Sequence, residues 1–405
     1  MKSFYRAALA LFAFALVVPA LGIVTPSGST VPGASAAVRQ SGKTVLLPQI
    51  VQPGAKVAPA KQARLAGSVR FRPARKGRPV VIQRRIGKAA WRKVATKRQN
   101  GAGVVKFVAA AHNAKGRPYT YRGVAQRWNG LAKVAATPQN AAVWKQKFTD
   151  EFAGTSLNLS KWSYRQLGDY NVAGDRACST SAMDAVKVGG GRVSLLVKPD
   201  AARQQAVGDC TTTHGNKAEY TNRHWYKNGH ISTADNLNGQ FKFGVAAARV
   251  KFDRQQGAHG SFWMQTTQPY VAGRGPAQNG AEIDVVEYFG KGFRKGDIYS
   301  FIHYKDAAGT DHKVPDGTPL LAARKALRGD DDWFKRYHVF SVEWTPRAYV
   351  FRVDGIQTLK VTRGVSKVPE FLILSMLSSG WELDRMQRAT LPNATQVDWV
   401  RFWQK

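Results

Sequence analysis

Hydrophobic and polar positions alternate with a period of two through much of this chain, the pattern of strands that bury one face. In the front half the alternation is carried by Gly67-Ser68-Val69-Arg70-Phe71-Arg72, Pro79-Val80-Val81-Ile82-Gln83-Arg84-Arg85 and Trp91-Arg92-Lys93-Val94-Ala95-Thr96, and continues through residues 101–109 and 119–125. Gly-containing turns recur about every ten residues, which predicts a small antiparallel β-sandwich. From residue 148 onward some 250 residues repeat the texture with little helical periodicity. Residues 186–197 read as a hairpin, 241–252 as one long strand, and 337–344 with 349–353 as a second hairpin around Thr345-Pro346-Arg347-Ala348. Only residues 320–328 suggest a helix. The fold class expected is all-β: a large antiparallel sandwich behind a small one.

One strand breaks the pattern. In Ala281-Glu282-Ile283-Asp284-Val285-Val286-Glu287-Tyr288-Phe289, three carboxylates fall within six residues. Alternation puts Glu282 and Asp284 on one face and Glu287 on the other. A one-residue bulge at Val285 or Val286 restores the parity and sets all three on one face. Like charges this close repel, so a purely structural strand gains nothing from them. Catalysis can use that repulsion, since neighbouring carboxylates push each other's pKa values apart. With the bulge, Glu282 and Glu287 are about four strand steps apart, roughly 13 Å between Cα atoms. Side chains leaning inward bring the carboxyls to about 5–7 Å, which covers the separation of retaining glycoside hydrolysis. A solvated acidic strand face is the alternative.

Charge divides the chain in two. Residues 38–147 hold 25 Lys and Arg and no Asp or Glu, whereas residues 148–405 hold 34 Lys and Arg against 26 Asp and Glu. The boundaries that follow are a linker at 38–61, a basic sandwich at 62–138, a joint at 139–147 and the large sandwich at 148–405. The basic sandwich resembles small immunoglobulin-like domains of secreted actinobacterial proteins. Its cations suit a polyanion or a cell surface, or merely keep a secreted spacer soluble; no nucleic-acid motif is present. Residues 1–37 run from Lys2 and Arg6 through an apolar core to Ala34-Ser35-Ala36-Ala37, the form of a signal peptide. A retained anchor is the other reading, because the apolar run is nearly long enough to span a membrane; with cleavage, no stable membrane insertion and a secreted monomer are expected. Cys178 and Cys210 fit an exported protein in which they pair, closing a loop of about 32 residues worth about 3–4 kcal/mol. Two buried free thiols are the alternative, and two cysteines alone cannot make a zinc site.

Taken in order, the segments of residues 148–405 resemble glycoside hydrolase family 16. They include Phe148-Thr149-Asp150-Glu151-Phe152, Gly229-His230-Ile231-Ser232-Thr233, Gly260-Ser261-Phe262-Trp263-Met264, the Glu-Ile-Asp-Val-Val-Glu signature, Phe301-Ile302-His303-Tyr304 and Val397-Asp398-Trp399-Val400-Arg401-Phe402. The resemblance implies a concanavalin-like β-jelly roll and a retaining endo-glycosidase that needs no cofactor, with β-1,3-glucan as the expected substrate class. An acidic or sulfated glycan, transglycosylation, or a non-catalytic carbohydrate-binding role on the same fold are the alternatives. It further implies Glu282 as nucleophile, Glu287 as general acid and then base, and Asp284 as the residue that sets the nucleophile's ionisation. His303 matches a histidine near the catalytic face, or is a hydrogen-bonded sheet residue. Trp263 and Trp381 resemble sugar-stacking positions, core packing being the other use of a tryptophan. Asp398 and Glu151, through its backbone carbonyl, match positions where many members hold a structural calcium ion on the far face. His259-Gly260-Ser261-Phe262-Trp263 stands where the laminarinase branch usually shows Trp-Pro-Ala-x-Trp, and Ser378-Ser379-Gly380-Trp381 also departs from the common form.

Overall fold

Alternate β-branched and aromatic residues build the front of the chain as two small sheets. In the computed structural model, which describes residues 39–168, 170, 176–211, 224–236, 238–378 and 380–405, the side chains of Trp381 and Glu382 excepted, Leu65–Arg72 lies between Ser41–Leu46 and Val104–Ala109. Facing it, Pro79–Arg85 lies between Arg92–Arg98 and Thr120–Ala125. Val69, Phe71, Val80, Ile82, Phe107 and Tyr121 fill the space between the sheets. The expected signal peptide falls outside the described residues, and among those described no helix is long and apolar enough to cross a membrane.

Neither expected connector is a free linker. Within 38–61, Ser41–Leu46 is a strand of the sandwich; Thr44 and Leu46 point inward, but Val45 occupies an outward position and blurs the alternation. In the joint at 139–147, Gln139–Asn140 pairs with Thr120 and Tyr121, and the Asn140 side chain caps a short 3-10 turn by accepting the Ala142 N–H at 2.8 Å. Lys145–Asp150 then enters the large sandwich directly, paired with Asn393–Gln404.

The large sandwich has two antiparallel layers. In one, Glu370–Ser378 lies between Tyr226–Ser232 and Ala258–Gln265, followed outward by Glu282–Tyr288, Ile298–Lys305 and Asp311–Val314. In the other, Asn393–Gln404 pairs with Val193–Pro199 and Gly244–Lys251, and the latter is followed by His338–Thr345, Ala348–Val353 and Ile356–Val361. Ile283, Val286, Phe262, Ile302 and Leu374 meet Ala248, Phe340, Val342, Phe351 and Val400 in the shared core. Both predicted hairpins form. Residues 241–252 do not make one strand: Gln240–Phe241 pairs in the first layer and Gly244–Lys251 in the second. The chain changes layers at Phe243 and Gly244, both at positive φ, and a Cβ on Gly244 would stand 2.1 Å from the Trp403 carbonyl oxygen. Residues 321–326 form a 3-10 helix, and a short helix absent from the sequence expectations, Ala201–Val207, starts where Asp200 accepts the Arg203 N–H.

Candidate functional site

The acidic strand owes its geometry to one surplus residue. Trp263 sits opposite Asp284 and Phe262 opposite Val286, so Val285 is extra against that neighbour; against the other, Asp284 faces Phe301 and Glu287 faces Tyr299. Ser261 and Trp263 share a face, hence so do their partners Glu287 and Asp284. The bulge lies where parity requires it, at Val285 and Val286. Its loose carbonyl, that of Val285, accepts the buried Ser300 hydroxyl at 2.7 Å. Ile283, Val285 and Val286 are buried while Glu282 and Glu287 keep some exposure.

Each carboxylate has its own partners. The Gln265 amide donates to Glu282 Oε2 at 2.8 Å, and Arg165 in turn donates to Gln265 at 2.8 Å. Asp284, 3 % exposed, lies with Oδ2 3.3 Å from His303 Nε2, and His303 is the register partner of Glu282. One ligand-type atom from each of Glu282, Asp284 and His303 falls within 4.8 Å of the others. Glu287 Oε1 is 2.9 Å from His259 Nε2.

Burial raises the Asp284 carboxyl well above the usual carboxylate range, and the charges of Glu287 and Glu282 push the same way. Glu282 is also raised, by burial and then by Glu287, against the pull of Gln265, Arg176 and Arg165. For Glu287 burial pushes upward too, yet His259, Lys313 and Arg176 together outweigh it and hold the group below its ordinary value. Asp284 and Glu287 are thus shifted in opposite directions. Burial, and then Lys313, keep His303 below the usual imidazole range.

Trp263 is half-buried beside the acids, its indole N–H donating to Ser375 Oγ at 3.1 Å and its ring stacked on His230 at 6.0 Å between centroids. Trp263, Arg176, His259, Ser261 and the three acids line a cavity of about 60 Å³, the space of about two waters. The Trp381 side chain lies outside the described residues. Trp225 and Tyr226 are core: Trp225 stacks edge-on against Tyr170, and both residues belong to the main apolar cluster. Cys178 and Cys210 are disulfide-bonded. His259 and Arg176 are site residues that sequence reasoning missed; His259 showed only as a departure from the family's tryptophan, and nothing in the sequence tied Arg176 to the acids.

The calcium expectation does not fit Asp398, whose carboxylate is already engaged. Asp398 Oδ2 is ion-paired with Arg249 and accepts the Ala58 N–H at 3.2 Å. Glu151 accepts the Arg401 guanidinium at 3.0 Å and the Ala60 N–H at 3.2 Å. Arg249 also donates to the carbonyls of Gln52, Gly54 and Lys56, fastening residues 52–60 across this face, while Trp399 Nε1–H reaches Gln52 Oε1 at 2.8 Å. Where a divalent cation needs free oxygens, this chain supplies guanidinium groups and backbone N–H donors. The sequence could not show this, because the segment that covers Asp398 lies about 340 residues away.

The chain is similar to several known proteins. The family model described as Glycosyl hydrolases family 16 matches residues 198–401. A glucan endo-1,3-beta-glucosidase A1 from Niallia circulans is 25 % identical over 277 residues, 63 % of this chain and 37 % of that protein. The clotting factor G alpha subunit of Tachypleus tridentatus is 23 % identical over 286 residues, 68 % of this chain and 36 % of that protein. The chain thus spans little more than a third of the length of these curated relatives. Among solved structures, the endo-beta-1,3-glucanase from Pyrococcus furiosus overlays with a TM-score of 0.44 at 19 % identity, over 64 % of this chain and 94 % of that one.

Proposed function

Because the chain belongs to glycosyl hydrolases family 16, we propose that it is a secreted retaining endo-glycosidase acting on a β-linked polysaccharide, with β-1,3-glucan the substrate class. The supporting observation is the bulge that brings Glu282, Asp284 and Glu287 to one face beside a half-buried tryptophan. Glu282 attacks the anomeric carbon as the bond to the leaving oxygen breaks, and Glu287 gives that oxygen its proton. Glu287 then takes a proton from water, the water oxygen bonds to the anomeric carbon, and the Glu282 ester is released. A second sugar hydroxyl can replace the water in that step, giving transglycosylation. The first step needs the proton on Glu287, whose carboxyl His259, Lys313 and Arg176 hold low, so the bound sugar must raise its proton affinity. Asp284 stands between the two glutamates on the strand, with His303 3.3 Å from its Oδ2. Trp263 offers an apolar face to a pyranose ring.

Reducing-end release from laminarin, lichenan, agarose and a sulfated galactan, with Glu282→Gln beside the wild type, tests this. Release from laminarin with the anomeric configuration retained by NMR is expected, and none from the variant. Wild type that binds a glycan and cleaves none of the four overturns the enzymatic reading in favour of a carbohydrate-binding protein.

The front sandwich favours a second ligand, an acidic polysaccharide. Arg85 and Arg122 lie over Trp91 at 4.5 and 4.1 Å from the ring centroid, Arg84 over Tyr119 at 4.3 Å. A guanidinium beside a ring can still make bidentate contact with sulfate or carboxylate, and no acid of residues 38–147 neutralises these three. The full chain should be retained on a sulfated galactan with steep salt dependence, lost in Arg85→Ala/Arg122→Ala; retention indifferent to salt overturns it.

A further inference from the structure

His259 lies outside every role assigned above, yet it contacts the residue that handles the proton. Its ring is 5 % exposed and stacked on Phe289, 4.2 Å between centroids with 16° between planes. Arg176 Nη2 lies 2.7 Å from Nδ1. A guanidinium only donates, so Nδ1 must be the lone-pair nitrogen and the ring proton belongs to Nε2. Nε2 in turn lies 2.9 Å from Glu287 Oε1, with the Ser261 hydroxyl 2.7 Å away as a second acceptor. An imidazolium would set an N–H against the Arg176 N–H, and burial also disfavours it, holding the imidazole below its usual range. Arg176 is itself anchored, donating to the Ser378 carbonyl at 3.3 Å and lying two residues before the disulfide-bonded Cys178.

We propose that His259 is a positioning residue for the reaction advanced above, locked by Arg176 into the Nε2–H tautomer so that it anchors Oε1 of Glu287 and leaves Oε2 to exchange the proton with substrate and water. The inference rests on that reading of the site. Anchoring fixes which oxygen reaches the glycosidic bond, and it favours the ionised carboxylate, the form that acts as base in the second step. Glu287 also faces Glu282 and Asp284 on its own strand, Tyr299 and His303 on the next, Lys313 beyond them and Arg176 from the turn. These stay in place when His259 alone is changed.

The test compares wild type, His259→Phe, His259→Gln and Arg176→Gln. Phenylalanine keeps the stack on Phe289 and removes both nitrogens; glutamine restores a donor. On a cleaved glucan, His259→Phe should lower kcat by about 10²-fold with KM changed less than threefold, and should move the alkaline limb of the kcat/KM profile to higher pH. His259→Gln should recover much of both, and Arg176→Gln, which frees the other tautomer, should fall between. An unmoved pH profile in a folded His259→Phe overturns the proposal; if that variant does not fold, the Arg176→Gln profile decides. If wild type cleaves no glucan, the carboxyl ¹³C titration of Glu287 reads the same contact without catalysis: an upward shift in the variants supports it and an unchanged midpoint overturns it.

Discussion

Arg249 and Asp398 form an ion pair beneath residues 52–60, with side chains 1 % and 3 % exposed. The pair holds two things at once: the charge on Asp398 and the carbonyls of the segment crossing above it. Removing one partner leaves a buried charge without compensation, a change of about 3–5 kcal/mol. Arg249→Met should therefore lower the urea midpoint sharply. The double variant Arg249→Met/Asp398→Leu should be less destabilised than the single one.

Glu370 predicts how stability varies with pH. Its side chain is fully buried, Oε1 accepts the Ala281 N–H at 3.2 Å just before the acidic strand, and burial raises its pKa to about 8. The unfolded chain ionises this group near the ordinary glutamate value while the folded chain keeps it protonated. Its contribution is thus fully present below about pH 4.5 and is lost as pH rises toward about 8. Glu370→Gln should flatten that decline and raise stability at pH 7 by on the order of 3 kcal/mol, measured as melting temperature against pH in both proteins.

The bulge can be tested by subtraction. Deleting Val286 leaves the unbulged strand Glu282-Ile283-Asp284-Val285-Glu287, in which plain alternation sets all three acids on one face without a bulge. The deletion variant should therefore stay soluble and keep measurable activity, and Val286→Ala should remain folded with a cost of about 1–3 kcal/mol. Soluble expression and activity of the two variants decide it; a folded deletion variant without any activity would remove the parity argument.

Cysteine removal separates stability from activity. Loss of the Cys178–Cys210 bond should cost about 3–4 kcal/mol through the freed loop. It should also weaken Arg176, so Cys178→Ala/Cys210→Ala, assayed well below its melting temperature, should show reduced kcat in a fully folded protein. Activity equal to wild type there would confine the disulfide to a stabilising role.

The acids were legible because they violate two local rules together, charge spacing and strand parity, and one extra valine reconciles both. Trp263 and His303 came from the resemblance to the family, and strand register places them opposite Asp284 and Glu282. His259 was not legible, since its meaning depends on Arg176, which arrives from a turn 83 residues earlier. The covering segment at 52–60 was also hidden: rich in Pro, Gly and Ala, it holds its place through backbone groups that bond to distant arginines, and backbone groups leave no mark in a residue pattern. Phe243 and Gly244 failed for a related reason, because alternation continues through the point where the chain changes layers.

The strand Asn393–Gln404 has a consequence for how the molecule comes into being. Its partners are Lys145–Asp150, Val193–Pro199 and Gly244–Lys251, so Trp403 must find Gln146 across more than 250 residues of chain. At ribosomal speeds roughly 13–50 s separate the synthesis of those two residues, and pairings of such sequence separation form slowly once both exist. The second layer therefore stays open, its edges unpaired, until the last-made of these strands emerges. A nascent chain that cannot close prematurely keeps those edges exposed to other chains, so chaperone holding during synthesis should raise the soluble yield.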